Sequence, residues 1–148
     1  MDLKRVVVTG LGAITPLGKT VETYWQGLSE GVNGCDLIKQ FDASKFKTRF
    51  ACEIKNFDVH QFIEKSEARR FDPYTQYALV AVEEAVKQAG INFDALNKNR
   101  IGVIWGSGNG GIQTFQDQVM EFALGDGTPR FNPFFIPKMI LQMAGFCF

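Results

Sequence analysis

Residues 100–122 read Arg100-Ile-Gly-Val-Ile-Trp105-Gly-Ser-Gly-Asn-Gly-Gly-Ile112-Gln-Thr-Phe-Gln-Asp-Gln-Val-Met-Glu-Phe122, and this stretch decides the fold. Ile101, Val103, Ile104 and Trp105 form a short apolar run cut off by glycines, the pattern of a buried strand that ends abruptly. Gly106, Gly108, Gly110 and Gly111 then free the backbone for positive φ and for close approach to a ligand or another segment, at an entropic cost a purely structural loop seldom bears. The loop is therefore a candidate part of a site, against the plainer alternative of a tight turn shaped only by packing. Beyond it Ile112, Phe115, Val119 and Phe122 recur at helical spacing, so the predicted unit is strand, tight loop, helix.

Working back toward the N-terminus, Leu96 to Arg100 leads into this strand. From Tyr74 to Gly90 the positions Tyr77, Ala78, Ala81, Val82, Ala85, Val86 and Ala89 make a wide apolar stripe, with Asp72 as cap and Pro73 at the first helical position. That predicts a buried helix covering a sheet. Lys65-Ser-Glu-Ala-Arg69-Arg70-Phe-Asp72 concentrates positive charge before the helix, either a solvated corner or a docking point for an acidic partner. His60, in the short helical start Asp58-Val-His-Gln-Phe-Ile63, reads as a surface residue.

At the N-terminus, Lys4-Arg-Val-Val-Val-Thr-Gly10 is β-branched and apolar without alternation, which suits a central strand covered on both faces. After the loop from Leu11 to Lys19, Thr20 caps a helix whose face is Val21, Tyr24, Trp25 and Leu28, ended by Gly31. Two nucleotide motifs fail on inspection. Gly10-x-Gly12 has Thr15 at the third glycine position of a dinucleotide fingerprint, and the helix starts too late to meet a pyrophosphate. Ala13-Ile-Thr-Pro-Leu-Gly-Lys-Thr20 lacks the first glycine of a phosphate loop, and Pro16 removes an amide. From Gly31 to Phe57 glycine, charge and scattered aromatics predict a long surface excursion with one short strand near Arg49 to Ile54, Cys52 pointing into the core.

On the C-terminal side Gly125 to Arg130 is turn-rich, and Asn132-Pro-Phe-Phe-Ile-Pro137 is apolar and proline-stiffened. Phe134 and Phe135 are costly to leave in water, so they belong to a core, a subunit interface or a pocket wall. Pro137 is expected to start a helix through Met143. The order strand, helix, short strand, helix, strand, helix is α/β.

The 148 residues suit one domain, and 16 Lys and Arg against 16 Asp and Glu leave no overall field for nucleic acid or an anionic membrane. No apolar run approaches the roughly 20 residues that span a bilayer, and Met1 to Arg5 passes straight into a strand, so the chain reads as cytoplasmic. Cys35, Cys52 and Cys147 show neither paired nor metal-type spacing with His60, which predicts free thiols, no metal and no cofactor.

Val6 to Gly18, Phe41-Asp42, Glu67 to Asp72, Gln76-Tyr-Ala78, Gly106 to Gly111 and Asn132 to Pro137 together resemble the N-terminal part of a β-ketoacyl-acyl carrier protein synthase, in particular the type II condensing enzymes of bacterial fatty-acid elongation. The similarity runs from about Lys4 to about Met143. It implies a thiolase-like layered α-β-α-β-α fold, present here as an incomplete N-terminal half over residues 1–148, acting as a homodimer. It also implies transfer of an acyl chain from the carrier's thiol to a cysteine, and condensation with malonyl-carrier after decarboxylation. The family places that cysteine and its two histidines after the matched region, so no catalytic residue is assigned here. Cys147 is not a substitute: its Gly-Phe-Cys-Phe context departs from the family pattern and no histidine follows. The departure after Met143 suggests a truncated or frame-shifted reading of a longer gene. By resemblance, Gly108 and Asn109 line the acyl pocket, where an aliphatic residue is common in place of Asn109. Phe134 and Phe135 match a segment near the dimer interface and pocket, and Arg69, Arg70 and Arg130 match positions that meet the acidic acyl carrier protein. The alternatives are a non-catalytic fragment or heterodimerising module, and a nicotinamide-dependent oxidoreductase.

Overall fold

The computed structural model describes residues 3–140. The chain divides into two compact units, one comprising the segment up to Asp58 with Val80–Ile91, the other Val59–Leu79 with the segment from Asn92 onward.

The first unit holds α1 (Val21–Ser29), a two-stranded ribbon of β1 (Asp36–Leu37) and β2 (Phe50–Ala51), and the second half of α3 (Pro73–Ala89). α1 begins as the sequence predicts. Thr20 is extended, its hydroxyl accepts the Thr23 amide at 3.2 Å, and the Thr23 hydroxyl accepts the Thr20 amide at 3.1 Å, a reciprocal capping box. At the other end Gly31 takes φ +66, with its amide donating to the Leu28 carbonyl and the Val32 amide to the Gly27 carbonyl. Gly90 closes α3 in the same way at φ +62, a conformation glycine adopts without a Cβ penalty. The packed line of α1 differs from the predicted one. Val21 and Tyr24 are half-buried and Gly27 is buried against Leu17, while Trp25 and Leu28 are exposed. Contact through a residue with no side chain turns the helix by one position and leaves the large residues outside.

β2 falls inside the predicted stretch, and its antiparallel partner β1, too short to show a pattern, pairs Asp36 with Ala51 and Leu37 with Phe50. Cys52 is exposed, contrary to expectation, because the two-residue period sets it on the opposite side from half-buried Ala51 and Glu53. The larger correction concerns Lys4 to Gly10. The segment makes no ladder bonds and Val6 is 89% exposed, since a strand's backbone bonds must come from another strand and no described residue supplies one. Its far end lies along α3: a Cβ on Gly10 or Gly12 would strike the carbonyls of Ala85 and Ala81.

The second unit holds α2 (Lys65–Ala68), the first half of α3, α4 (Ile112–Leu124) and α5 (Phe135–Met139), with single 3-10 turns at Val59–Gln61, Phe93–Ala95 and Lys98–Arg100. Ala68, Phe71, Thr75 and Ala78 are buried, Thr75 to 1% exposure. Ile101 to Trp105 has no ladder bonds either, and Ile104 is fully exposed, so the predicted buried strand is absent among the described residues for the same reason. Gly106 and Gly108 have open space where a Cβ would sit and lack positive φ; the close approach expected of this loop is made at Gly111. α4 forms over the predicted range, but its inner line is Gly111, Thr114 and Gln118, and of the predicted stripe Phe115 and Phe122 meet other aromatics. α5 starts at Phe135, two positions before Pro137, because a proline in a helix's first turn removes an amide that has no intrahelical acceptor. α5 ends at Met139, with Ile140 extended at ψ 118, short of the predicted end at Met143; residues 141–143, and Cys147, lie outside the described residues.

Candidate functional site

The site of the second unit grows from the start of α3. The Asp72 carbonyl accepts the Thr75 and Gln76 amides at 3.0 and 3.2 Å, opening the helix as its position before Pro73 predicts. Its side chain does more. Oδ1 accepts the Tyr74 amide at 3.4 Å, while Oδ2 accepts the Thr114 hydroxyl at 2.6 Å and the Thr114 amide at 3.3 Å. Thr114 lies in the first turn of α4, so one carboxylate, 4% exposed, meets the amide-rich ends of two helices. Gly111 lies so close that a Cβ would press on the Lys138 carbonyl and the Asp72 carboxylate, which anchors the last residue of the glycine loop. Burial raises the Tyr77 phenol pKa, and the charge of Asp72 adds to the shift.

Arg69, Arg130, Lys138 and Phe134 line an open groove of about 500 Å³ with Gln118, Glu121, Phe131, Asn132 and Pro133. Its turn is held by the Asn132 amide donating to Gln118 at 2.6 Å and the Phe134 amide donating to the Asn132 side chain at 2.8 Å. Arg70 reaches the same phenylalanine, its guanidinium 5.6 Å from the Phe134 ring centroid. Arg130 pairs with Asp126 at 3.2 Å, an exposed pair of small energetic weight. The Thr128 amide, then its hydroxyl, hold the Asp126 carboxyl below the usual carboxylate range. Among the described residues Arg69 and Lys138 have no ion-pair partner. Three cations against the single acid Glu121, with an aromatic wall, suit an anionic surface.

The structure thus brings together Arg69, Arg130 and Phe134, with Arg70 on the Phe134 ring. Phe135 goes elsewhere, between Phe115 at 6.4 Å and Phe131 at 5.6 Å, while Phe131 meets Phe122 at 5.8 Å. Gly108 and Asn109 are exposed and do not line the groove; the Ser107 hydroxyl donates to the Asn109 carbonyl at 2.6 Å. Sequence reasoning missed Lys138, although its place four residues after Phe134 puts both on one helical face. A second groove of about 360 Å³ shares Arg69 and Lys138 and adds His60, Gln113 and Asp117. Among the described residues no three or more His, Cys, Asp or Glu side chains cluster to hold a metal.

In the first unit the nucleotide-like loop is occupied by its own side chains. Glu84 accepts the Ala13 and Val21 amides, both at 2.9 Å, and Gln88 accepts the Leu11 amide. The Thr15 hydroxyl accepts the Leu17 and Gly18 amides at 3.2 and 3.1 Å. The donors a phosphate would need are taken, and a carboxylate stands at the helix end where the phosphate would sit.

Solved structures define the class. The ishigamide ketosynthase/chain length factor superposes with a TM-score of 0.82 at 27% identity, over 93% of this chain and 34% of that one. A type II PKS ketosynthase solved in complex with its acyl-carrier protein gives 0.78 at 27% identity, over 98% and 38%. The path of the chain is therefore that of the thiolase-like α/β ketosynthase fold, in its N-terminal part, even where the strands lack ladder partners. Residues 3–147 match the description "Beta-ketoacyl synthase, N-terminal domain", and the chain belongs to the β-ketoacyl synthase family. That match runs past Met143, where the resemblance read from the sequence stopped. The 3-oxoacyl-[acyl-carrier-protein] synthase 2 of Synechocystis sp. (strain PCC 6803) is 46% identical over 144 residues, 97% of this chain and 34% of that protein. The chain thus spans about a third of the length of the relative it matches.

Proposed function

We propose that this chain is the N-terminal segment of a 3-oxoacyl-[acyl-carrier-protein] synthase that condenses acyl and malonyl thioesters with loss of carbon dioxide in fatty-acid elongation. The observation that carries this reading is the 46% identity to such a synthase across 97% of the chain. The partner is the acidic acyl carrier protein, met at the groove of Arg69, Arg130 and Lys138 with Arg70 beside it, where Arg69 and Lys138, without ion-pair partners among the described residues, favour a negative surface. Gly108, Asn109, Phe134 and Phe135 belong to the acyl pocket and its surroundings, and the complete protein works as a cytoplasmic homodimer. The segment alone is inactive, because the reactive cysteine and both histidines lie beyond it in the family.

A chimaera joining residues 1–140 to the remaining two thirds of the Synechocystis relative tests the reading. It is expected to form 3-oxoacyl-carrier from acyl- and malonyl-carrier, and Arg69→Ala with Arg70→Ala is expected to raise KM for the carrier about tenfold at low salt, with kcat preserved. A folded chimaera without condensation defeats the synthase reading; an unchanged KM defeats the docking assignment alone.

A second reading is favoured by the exposed apolar runs Val6 to Val8 and Ile101 to Trp105: a non-catalytic module that covers them by joining an intact synthase subunit. Native mass measurement of the chain mixed with such a synthase separates the two, since a one-to-one complex belongs to the module alone.

A further inference from the structure

The ribbon register places two thiols face to face. Asp36 is opposite Ala51 and Leu37 opposite Phe50, so one step outward Cys35 is opposite Cys52. The Ile38 amide donates to the Arg49 carbonyl at 3.0 Å, which makes Ile38 and Arg49 a hydrogen-bonded pair. Alternation along an antiparallel ladder then makes Cys35 and Cys52 a non-hydrogen-bonded pair, the kind whose Cα atoms approach to about 4.5 Å with side chains closest. That lies within the roughly 4.4–6.8 Å a disulfide spans. Both thiols are free, Cys35 half-buried and Cys52 exposed. The register is braced from both sides. Asp36 pairs across the ribbon with Lys55 at 3.1 Å, and the Lys39 amide donates to the Glu53 carboxylate at 3.2 Å.

We propose that Cys35 and Cys52 form a redox-responsive pair that closes into an intramolecular disulfide across the β1–β2 ribbon and reopens under reducing conditions. The oxidant is a low-molecular-weight disulfide of the glutathione class. The exposed Cys52, as thiolate, attacks one sulfur of that disulfide; a bond forms from Cys52 to one half, and the other half leaves as a thiolate that takes up the proton Cys52 gave to solvent. Cys35, deprotonated in turn, attacks the Cys52 sulfur and displaces the second half, which also leaves as a thiolate and is protonated. Two protein thiols lose two electrons and two protons, and one small disulfide becomes two thiols. Cys35 is the second to react because desolvation, and then the neighbouring Cys52 charge, raise its pKa. A ribbon of two residues per strand holds itself weakly, so a covalent tie at its end governs whether it opens.

The test uses the chain with Cys147→Ser, so that two thiols remain, equilibrated in mixtures of reduced and oxidised glutathione and read by alkylation, mass and peptide mapping. The expected result is a linked peptide pair joining Cys35 to Cys52. Its effective concentration against glutathione should exceed, by about tenfold or more, that of a comparison chain carrying Ala51→Cys and Cys52→Ser together with the same Cys147→Ser. The comparison chain keeps two thiols and nearly the same loop but turns one to the opposite side of the ribbon. In concentrated guanidinium the two chains should become equal. Equal values in buffer, or no linked peptide between Cys35 and Cys52, overturn the proposal.

Discussion

Asp72 and Ile104 invert the usual rule: a carboxylate that is 4% exposed and an isoleucine that is fully exposed. The difference lies in where each segment finds its hydrogen bonds. Asp72 belongs to a helix start, whose orphan amides lie within a few residues in sequence, and one further partner, Thr114, completes the corner. Ile104 belongs to an extended run whose ladder bonds can come only from another strand, and among the described residues none pairs with it. Among the described residues the helix ends are thus completed locally, while the apolar runs Val6 to Val8 and Ile101 to Trp105, whose ladder bonds need a distant strand, are present only as a path.

If that contrast is right, the most damaging substitutions are polar-buried or glycine positions, and the exposed apolar runs are nearly silent. Asp72→Ala removes the acceptor for the Thr114 hydroxyl and amide in a buried place, and is expected to destabilise by about 2–4 kcal/mol. Asp72→Asn, which keeps the shape, should cost about half as much; chemical denaturation of both variants measures the order. Equal, negligible losses would mean that this corner holds nothing. Gly12→Ala follows at about 1–3 kcal/mol, because its Cβ meets the Ala81 carbonyl rather than a side chain that could move aside. The same denaturation curves, compared with Gly102→Ala, where nothing lies within 4 Å, isolate the effect of close approach.

The same contrast explains what the sequence revealed. Thr20, Gly31, Pro73 with Asp72, and Gly90 named the helix ends correctly, because capping is decided by residues within a turn of the boundary. The strand pattern at Val6 to Val8 and Ile101 to Trp105 was equally readable, but burial is a property of the neighbours and not of the run. Cys52 and the face of α1 were misread for a related reason: an apolar residue signals burial only once it is known which side the partner takes, and on α1 the contact with Leu17 is made through Gly27, which has no side chain to announce it. At the groove, Arg69, Arg130 and Phe134 were found through resemblance and Lys138 was overlooked. Asp72 was seen as a cap, but its bond to Thr114, 42 residues away, has no signature in a single sequence.

The exposed runs allow a sharper prediction. Ile104→Asp should shift the stability of this chain by no more than about 0.5 kcal/mol, as surface changes do, while lowering its self-association in sedimentation. In the chimaera with the Synechocystis relative, the same substitution should cost about 3 kcal/mol or more, because the proposed fold would bury the side chain and leave its charge unpaired. A large loss in the isolated chain, or none in the chimaera, would remove the distinction between satisfied and waiting segments.

The smallest effect concerns Asp36, the acid that braces the ribbon through an ion pair with Lys55. The Leu37 amide, then Lys55, hold its carboxyl below the usual carboxylate range. A folded-state pKa depressed in this way contributes stability above the unfolded value near 4, and the contribution fades as pH falls through the lower folded value. Because the group is exposed, the change is slight and falls on the ribbon alone. Hydrogen exchange at the Ile38 amide, which donates to the Arg49 carbonyl, should therefore lose protection on acidification below about pH 4, after correction for intrinsic exchange rates. Asp36→Asn should flatten that loss while leaving the amides of α3 unchanged. A ribbon whose protection ignores Asp36 would be held by its backbone pairing alone, and the contrast between locally completed and partner-dependent structure would then extend to strands as short as two residues.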